Sequence, residues 1–388
     1  MRIVIVVVGK RTEHWEGFFA ALADRPELEL VIHAADVSRR ASERLEELAR
    51  RNPRVRFRLA PHLLGEELTG HMASIMFRPG SWRPLMTAVP DILHVIGEAA
   101  YLATNQAIRF RDRVWPHVPV TLFAAQNVLT RFPWPFPRLE RYAYERTALA
   151  LPITPAAREV LRAKGYRGRA EIVPLGVDLG RFRPRSSPPP EPFTVAFVGR
   201  LEKHKGVADL VAASDLLGCR LLVVGDGSLR PWLEGEAAKR PAGRIEIVPW
   251  LDHDELPSRL HRAHALALPS VEIVQRNVVP WVGVPLREQF GRVLVEAMAC
   301  GVPVVASSVG EIPEVIGSSG LTFPPGDLSA LARALADIRD RPGLAGALAR
   351  SGVERAAQFS WTRIATQVYE EWSKLAPARR SDDFRRAA

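Results

Sequence analysis

Only two cysteines occur among the 388 residues, Cys219 and Cys300, and both lie in apolar segments. This excludes a disulfide framework and a cysteine-rich metal site, and it makes a reduced cytoplasm the simplest setting. No apolar run approaches the roughly 20 residues of a membrane-spanning helix, so the chain is not expected to cross a bilayer. Its opening run, residues 3–8, is short, follows one arginine and ends in Gly9-Lys10 with no small-residue cleavage site; it reads as a first strand and not as a signal peptide. RNP-like strings, zinc-finger spacings and basic heptads are missing, which argues against nucleic acid as a partner. Acidic residues are in deficit. With 53 Lys and Arg against 43 Asp and Glu the net charge is +10, which favours an anionic membrane face or a phosphorylated substrate.

What the chain has is regular alternation, over a length that suits two domains. Residues 3–8, 28–33, 55–59, 92–96, 120–124 and 150–154 read as strands with helical or irregular stretches between them, which implies a mostly parallel sheet. In such sheets ligands bind beyond the carboxyl ends of the strands, here Gly9-Lys10, His94 to Glu98 and Gln126-Asn127, and these are expected to share one wall. His94 at a strand end has two readings, a reacting group or a satisfied structural histidine, and Glu98 likewise. The polar, proline-rich run at 185–192 reads as a linker. A second α/β unit follows, with strands expected at 193–198, 221–224, 245–248, 266–268, 302–306 and 321–323.

Chemistry concentrates in REQFGRVLVEAMACGVPVVASSVGEIPEVIG, residues 287–317. Glu288 precedes a Phe290-Gly291 turn, and Glu296 follows inside VLVEAMAC, whose apolar periodicity reads as a buried helix. Gly291 and Gly310 each allow a ligand to approach backbone N–H groups at a helix start, so each marks a possible anion site, with phosphate the obvious anion. Upstream, Arg200 follows Gly199, and Lys205 lies in the same tight loop, so both cations can be aimed at one diphosphate. Gly225-Asp226-Gly227 lacks the third glycine of a G-x-G-x-x-G fingerprint, which removes the hint of dinucleotide redox chemistry.

Glu288 and Glu296 resemble the E-x7-E motif of retaining GT-B glycosyltransferases of family 4. EQFGRVLVEAMACGVPVVAS, GEIPEVIG, VGRLEKHKG and VVGDGSLR have that family's order and spacing, densely over residues 193–326 and thinly before them. The resemblance implies two Rossmann-like α/β domains facing across a cleft, with the last helix crossing back to the first domain. It implies a nucleotide-diphosphate sugar as donor, a glycan, lipid-linked or small-molecule acceptor, and no metal or other cofactor. Donor contacts would come from Gly199, Arg200, Lys205, Gly225, Glu288, Phe290, Gly291, Arg292, Val293 and Glu296. Glu288 would address the sugar near its reacting face and Glu296 the ribose hydroxyls, while Arg200 and Lys205 meet the leaving diphosphate; His94 and Glu98 would stand at the edge of the reaction centre. The bland readings are an exposed i,i+4 ion pair of Glu296 with Arg292 and a solvated loop carboxylate at Glu288. A nucleotide-sugar epimerase, or a basic protein binding membranes or polyanions on a decayed scaffold, is the alternative.

The expected organisation is an acceptor domain at 1–184, a linker at 185–192, a donor domain at 193–357, a crossover helix at 358–376 and a frayed tail at 377–388. Two departures from the family matter. GKRTEHWEGFFAAL lacks the paired glycines common after the first strand, leaving Lys10, Glu13, His14 and Trp15 either to contact acceptor or to open an amphipathic helix. VEIVQRNVVPWVGVPLR, residues 271–287, is longer than expected; its apolar run, Val278, Val279, Pro280, Trp281, Val282 and Val284, closes over acceptor, touches lipid or packs on the domain. Phe132 to Pro137 is too proline-rich for helix and reads as an irregular aromatic segment beside Arg131, Arg138, Arg141 and Arg146, suited to a membrane surface or simply packed.

Overall fold

The computed structural model describes residues 1–69, 72–276 and 283–376. Two compact units divide it: Met1–Pro174 together with the chain from Trp361, and Leu175–Ser360.

In the first unit the strands β1 (Arg2–Val8), β2 (Glu29–Ala35), β3 (Val55–Leu59), β4 (Ile92–Ile96), β5 (Val120–Ala124), β6 (Thr147–Pro152) and β7 (Arg169–Ala170) form one sheet in the order β3-β2-β1-β4-β5-β6-β7. Every pairing is parallel. The continuous apolar run of β1, IVIVVV, has this cause: helices cover both faces of a parallel sheet, so no face is left for polar alternation. The second unit repeats the plan with β8 (Thr194–Val198), β9 (Arg220–Val224), β10 (Ile245–Val248), β11 (Ala265–Leu268), β14 (Val304–Ser307) and β15 (Leu321–Phe323), ordered β10-β9-β8-β11-β14-β15. A separate antiparallel pair, β12 (Ile273–Arg276) and β13 (Gly283–Leu286), lies between β11 and β14 in the chain. In each sheet the chain order reverses beside the first strand, and that reversal opens a crevice at the carboxyl ends of two neighbouring strands.

The last helix, Trp361–Leu375, belongs to the first unit. Trp361, Ile364, Ala365, Val368 and Trp372 are its buried face. Trp361 meets Trp15 and Phe18 at ring separations of 5.7 and 5.8 Å. Trp372 Nε1 donates to Thr121 Oγ1 at 3.2 Å, and Arg169 pairs with Glu371.

Two details differ from the sequence reading. The division falls after Pro174, ahead of residues 185–192, because the intervening segment is already anchored on the second unit: Phe182 is buried, and Arg185 donates to the carbonyls of Ala263 at 2.6 Å and Cys300 at 3.2 Å. The irregular aromatic segment also ends earlier, since Phe136 and Pro137 begin the helix Phe136–Arg146. A proline in the first turn costs nothing there, its missing N–H being one that has no intrahelical partner anyway. Val278, Val279, Pro280, Trp281 and Val282 of the apolar loop, and the tail at 377–388, lie outside the described residues.

Candidate active site

The second unit gathers its polar groups at the carboxyl ends of β8 and β11, where its strand order reverses. Two loops are laced together there. Gly199 N–H donates to Val224 O at 3.0 Å, Leu201 N–H to Asp226 O at 2.8 Å and Leu229 N–H to Leu201 O at 2.8 Å. Gly225 makes this possible: its φ is +148°, and a Cβ would lie 2.0 Å from the Gly199 carbonyl oxygen. Sequence LEKHK then forms a one-turn helix, Lys203–Lys205, seated on the loop after β11 by a 2.8 Å bond from Val271 N–H to His204 O. His204 is buried, and burial, aided by the charges of Lys205 and Arg200, pushes its imidazole down to about 4. It is therefore neutral near pH 7, and the cations of this loop are Arg200, Lys203 and Lys205.

Lys205 Nζ lies 2.6 Å from Glu288 Oε2, with side chains 16% and 10% exposed, and Ser270 Oγ donates to the same oxygen at 3.0 Å. Burial pushes the Glu288 carboxyl up, but the charge of Lys205 and the hydrogen bonds from Lys205 and Ser270 outweigh it and hold the group below the ordinary carboxylate range. Ser307 Oγ donates to Ser270 O and so ties the end of β14 to this cluster. Gly310 approaches the backbone of Glu288 so closely that a Cβ would lie 2.1 Å from the Glu288 carbonyl oxygen. Glu288 is thus clamped from both sides and is no solvated loop carboxylate. Phe290, buried, sets its ring edge on Phe359 at 5.6 Å.

Gly291, at φ +74°, is the N-cap of the helix Arg292–Ala299. Its missing side chain leaves the first amides of the helix without a side-chain cap, at the end that carries positive partial charge. Arg292 and Val293 in the first turn are half-buried, whereas Glu296, one turn further, is buried. Glu296 Oε1 lies 2.8 Å from His253 Nε2. Burial raises the Glu296 carboxyl, and His253, Arg292 and Arg181 together bring it below its ordinary value. The exposed Arg292 pair is accordingly replaced by a buried carboxylate hydrogen-bonded to a histidine. Sequence reasoning missed His253. It stands in LDHDEL, which reads as a polar turn before a helix, and no local spacing joins it to Glu296.

In the first unit Glu98 and Gln126, both expected on one wall, do meet, whereas His94 and Lys10 have other surroundings. His94 occupies the middle of β4, not its end. It is fully buried among Phe18, Phe123 and Trp372, its Nδ1 is 2.8 Å from Thr121 Oγ1, and burial pushes it down to about 3. This corrects its placement at the edge of a reaction centre: His94 is a neutral core residue. Glu98, in the loop after β4, accepts from the N–H groups of Ala125 and Gln126 at 2.7 and 3.0 Å, and burial raises its carboxyl despite them. Lys10 pairs with Asp36 at 3.1 Å and Glu67 at 3.2 Å. Trp15 packs against Phe123 at 4.5 Å. Among the described residues, no three His, Cys, Asp or Glu side chains gather closely enough to hold a metal ion, and no helix is long and apolar enough to cross a membrane.

Residues 192–340 match the family model described as Glycosyl transferases group 1. Among curated proteins, the chain is 36% identical over 221 residues to a glycogen synthase of Mycobacterium tuberculosis, covering 52% of this chain and 49% of that one. The chain thus spans about half the length of the curated relatives it matches. Among solved structures it is similar to a sucrose-phosphate synthase from Thermosynechococcus elongatus, with TM-score 0.71, 21% identity and coverage of 97% and 99% of the two chains. It is also similar to Anabaena HepE in complex with UDP-glucose, with TM-score 0.68, 17% identity and coverage of 96% and 100%. These structural likenesses show the fold, and it is GT-B.

Proposed function

We propose that the protein is a metal-independent, retaining glycosyltransferase of family 4 that moves a sugar from a nucleotide-diphosphate sugar to a glycan, lipid-linked or small-molecule acceptor. One observation carries the reading: Lys205 and Glu288, far apart in sequence, meet at 2.6 Å at the sheet reversal of the second unit, beside a helix whose first amides follow Gly291. The match of residues 192–340 to Glycosyl transferases group 1 supports it, as does the UDP-glucose held by one structural neighbour.

Transfer breaks the bond between the anomeric carbon and a diphosphate oxygen, whose electron pair leaves with the nucleoside diphosphate. The acceptor oxygen bonds to that carbon and gives up its proton, which passes to the departing diphosphate or to solvent. Fixed positive charge has to meet the leaving group, and preoriented cations and amides meet it without reorganisation. An ammonium has three N–H donors, so Lys205 keeps two for phosphate oxygens while one remains on Glu288. Arg200 and the amides after Gly291 complete the diphosphate site. Glu288, ionised and clamped, hydrogen-bonds the sugar, and Glu296 holds the ribose hydroxyls. Gly199 and Gly225 keep the two loops close, and Phe290, Arg292 and Val293 line the same turn.

The test is a screen of UDP-, GDP- and ADP-sugars for thermal stabilisation and sugar release, followed by the anomeric configuration of the product. A donor at 100 times its Kd adds about 2.7 kcal/mol of stability. Failure of every donor to raise the melting temperature refutes the reading. A peripheral place on an anionic membrane rests on Trp134, 74% exposed, with the Arg138 guanidinium 6.0 Å above its ring. Sedimentation with anionic but not with neutral vesicles is the expected result.

A further inference from the structure

We propose that His253 is the positioning residue of Glu296, donating its Nε2–H to Oε1 and so presenting Oε2 to the ribose hydroxyls of the donor. The inference rests on the reading of Glu296 as the ribose-binding group, and it adds a residue that neither the motif nor its spacing contains.

The direction of the hydrogen bond follows from chemistry. An ionised carboxylate only accepts, so the ring nitrogen 2.8 Å from Oε1 carries the proton. Contacts to the loop and to the ring hold the imidazole in place. The loop that bears it is closed by a 2.9 Å bond from Glu255 N–H to Asp252 O, the neighbouring Asp254 is held by Arg181 at 2.9 Å, and Phe182 meets the imidazole edge-on at 5.5 Å and 78°. Arg181 and Phe182 come from the segment that precedes β8, so His253 is placed by chain on both sides of the donor-site loops.

Glu296 sits among buried apolar neighbours on its helix, Leu294, Val295, Ala297 and Met298. A carboxylate is costly there unless it is hydrogen-bonded, and its side chain is 5% exposed against 32% for His253. The histidine meets that cost at one oxygen only. A carboxylate tied at one oxygen keeps the other aimed in a fixed direction, and two adjacent ribose hydroxyls require such a fixed acceptor.

Titration calorimetry of UDP, GDP and ADP on the full chain provides the test. His253→Ala is expected to weaken whichever nucleotide the native protein binds by about tenfold, with kcat little changed once the donor is known. His253→Phe keeps the ring against Phe182 but lacks the donor; it is expected to lose as much and decides the matter if the alanine variant does not fold. His253→Gln, whose amide N–H can reach a carboxylate, is expected to recover most of the affinity. In a Glu296→Gln background, His253→Phe should change affinity less than twofold, because the group it positions is gone. Native affinity in His253→Phe, or an equal loss with and without Glu296, overturns the positioning role while leaving the donor reading standing. Absence of nucleotide binding by the native protein overturns both.

Discussion

Lys205→Met is expected to destabilise the protein as well as to weaken nucleoside-diphosphate binding, and the two effects separate. The Lys205–Glu288 pair is 16% and 10% exposed at 2.6 Å, well inside the range where removing one partner leaves an uncompensated buried charge. Such losses are about 3–5 kcal/mol. Ser270 still donates to Glu288 in the variant, which places the expected loss toward the low end. Replacing both charges leaves no orphan, so Lys205→Met with Glu288→Gln should recover most of the stability.

The pH dependence fixes the mechanism. In the native protein the Glu288 carboxyl lies below its ordinary value of 4.5, so its contribution is present above pH 4.5 and is lost as pH falls through the lower folded value. Without Lys205, burial dominates and raises the folded value above the unfolded one. The variant carboxyl then favours folding at low pH and loses that advantage as pH rises. The stability gap between native and Lys205→Met should therefore be wide at pH 7 and narrow toward pH 4, measured by urea unfolding without ligand. A loss under about 0.5 kcal/mol at pH 7, or a double variant no better than the single one, refutes the argument. Calorimetry should add a fall in nucleoside-diphosphate affinity of roughly 1.5–3 kcal/mol for the missing charge-assisted contact.

Glu296→Gln should mainly raise donor KM and Glu288→Gln mainly lower kcat, since the first contact serves ground and transition states alike and the second strengthens as charge develops; steady-state kinetics showing one shared KM defect would undo this division. Gly310→Ala, whose Cβ would lie 2.1 Å from the Glu288 carbonyl oxygen, should shift that residue and reduce kcat at least tenfold by order of magnitude, while far-ultraviolet circular dichroism stays native. His33, buried against Phe77 and Trp82, is pushed by burial from 6.5 down to about 4; stability present above pH 6.5 is lost as pH falls toward 4, by roughly 3 kcal/mol, and a His33→Phe variant should flatten that limb of the unfolding profile. Activity should survive EDTA, and complete loss restored by magnesium or manganese would show the diphosphate site to be built otherwise.

The two sheets were legible because a parallel strand buried on both faces is written as an apolar run, and IVIVVV or TVAFV leaves little choice. The same continuity hid the fate of His94. When every residue of a strand is buried, position along the strand cannot be told from the pattern, so a core histidine looked like one at the rim. The unit boundary was misplaced for a related reason. Prolines at 188–190 are conspicuous, whereas the anchoring of residues 175–185 depends on Phe182 and on Arg185 reaching Ala263 and Cys300, contacts that leave no local trace.

Within the second unit, what could be read was what is contiguous. Glu288, Gly291 and Glu296 lie on one turn and one helix, so their spacing alone implied a shared direction, and the chemistry of VGRLEKHKG suggested an anion for its cations. Their pairing could not be read. Lys205 meets Glu288 because β8 and β11 are neighbours at the point where strand order reverses, and His253 meets Glu296 because the loop after β10 folds over the helix that follows Gly291. Both partners are supplied by topology. Each matched acid thereby sits beside a base brought from a distant loop, and both carboxylates are held below their ordinary range against the effect of burial. A site that only needed buried packing would not keep two ionised acids there, since apolar residues of similar volume are often as stable or more so. These two charges are the part of the sequence that stability does not explain, and the proposed donor, rich in hydroxyls and phosphate, would account for them.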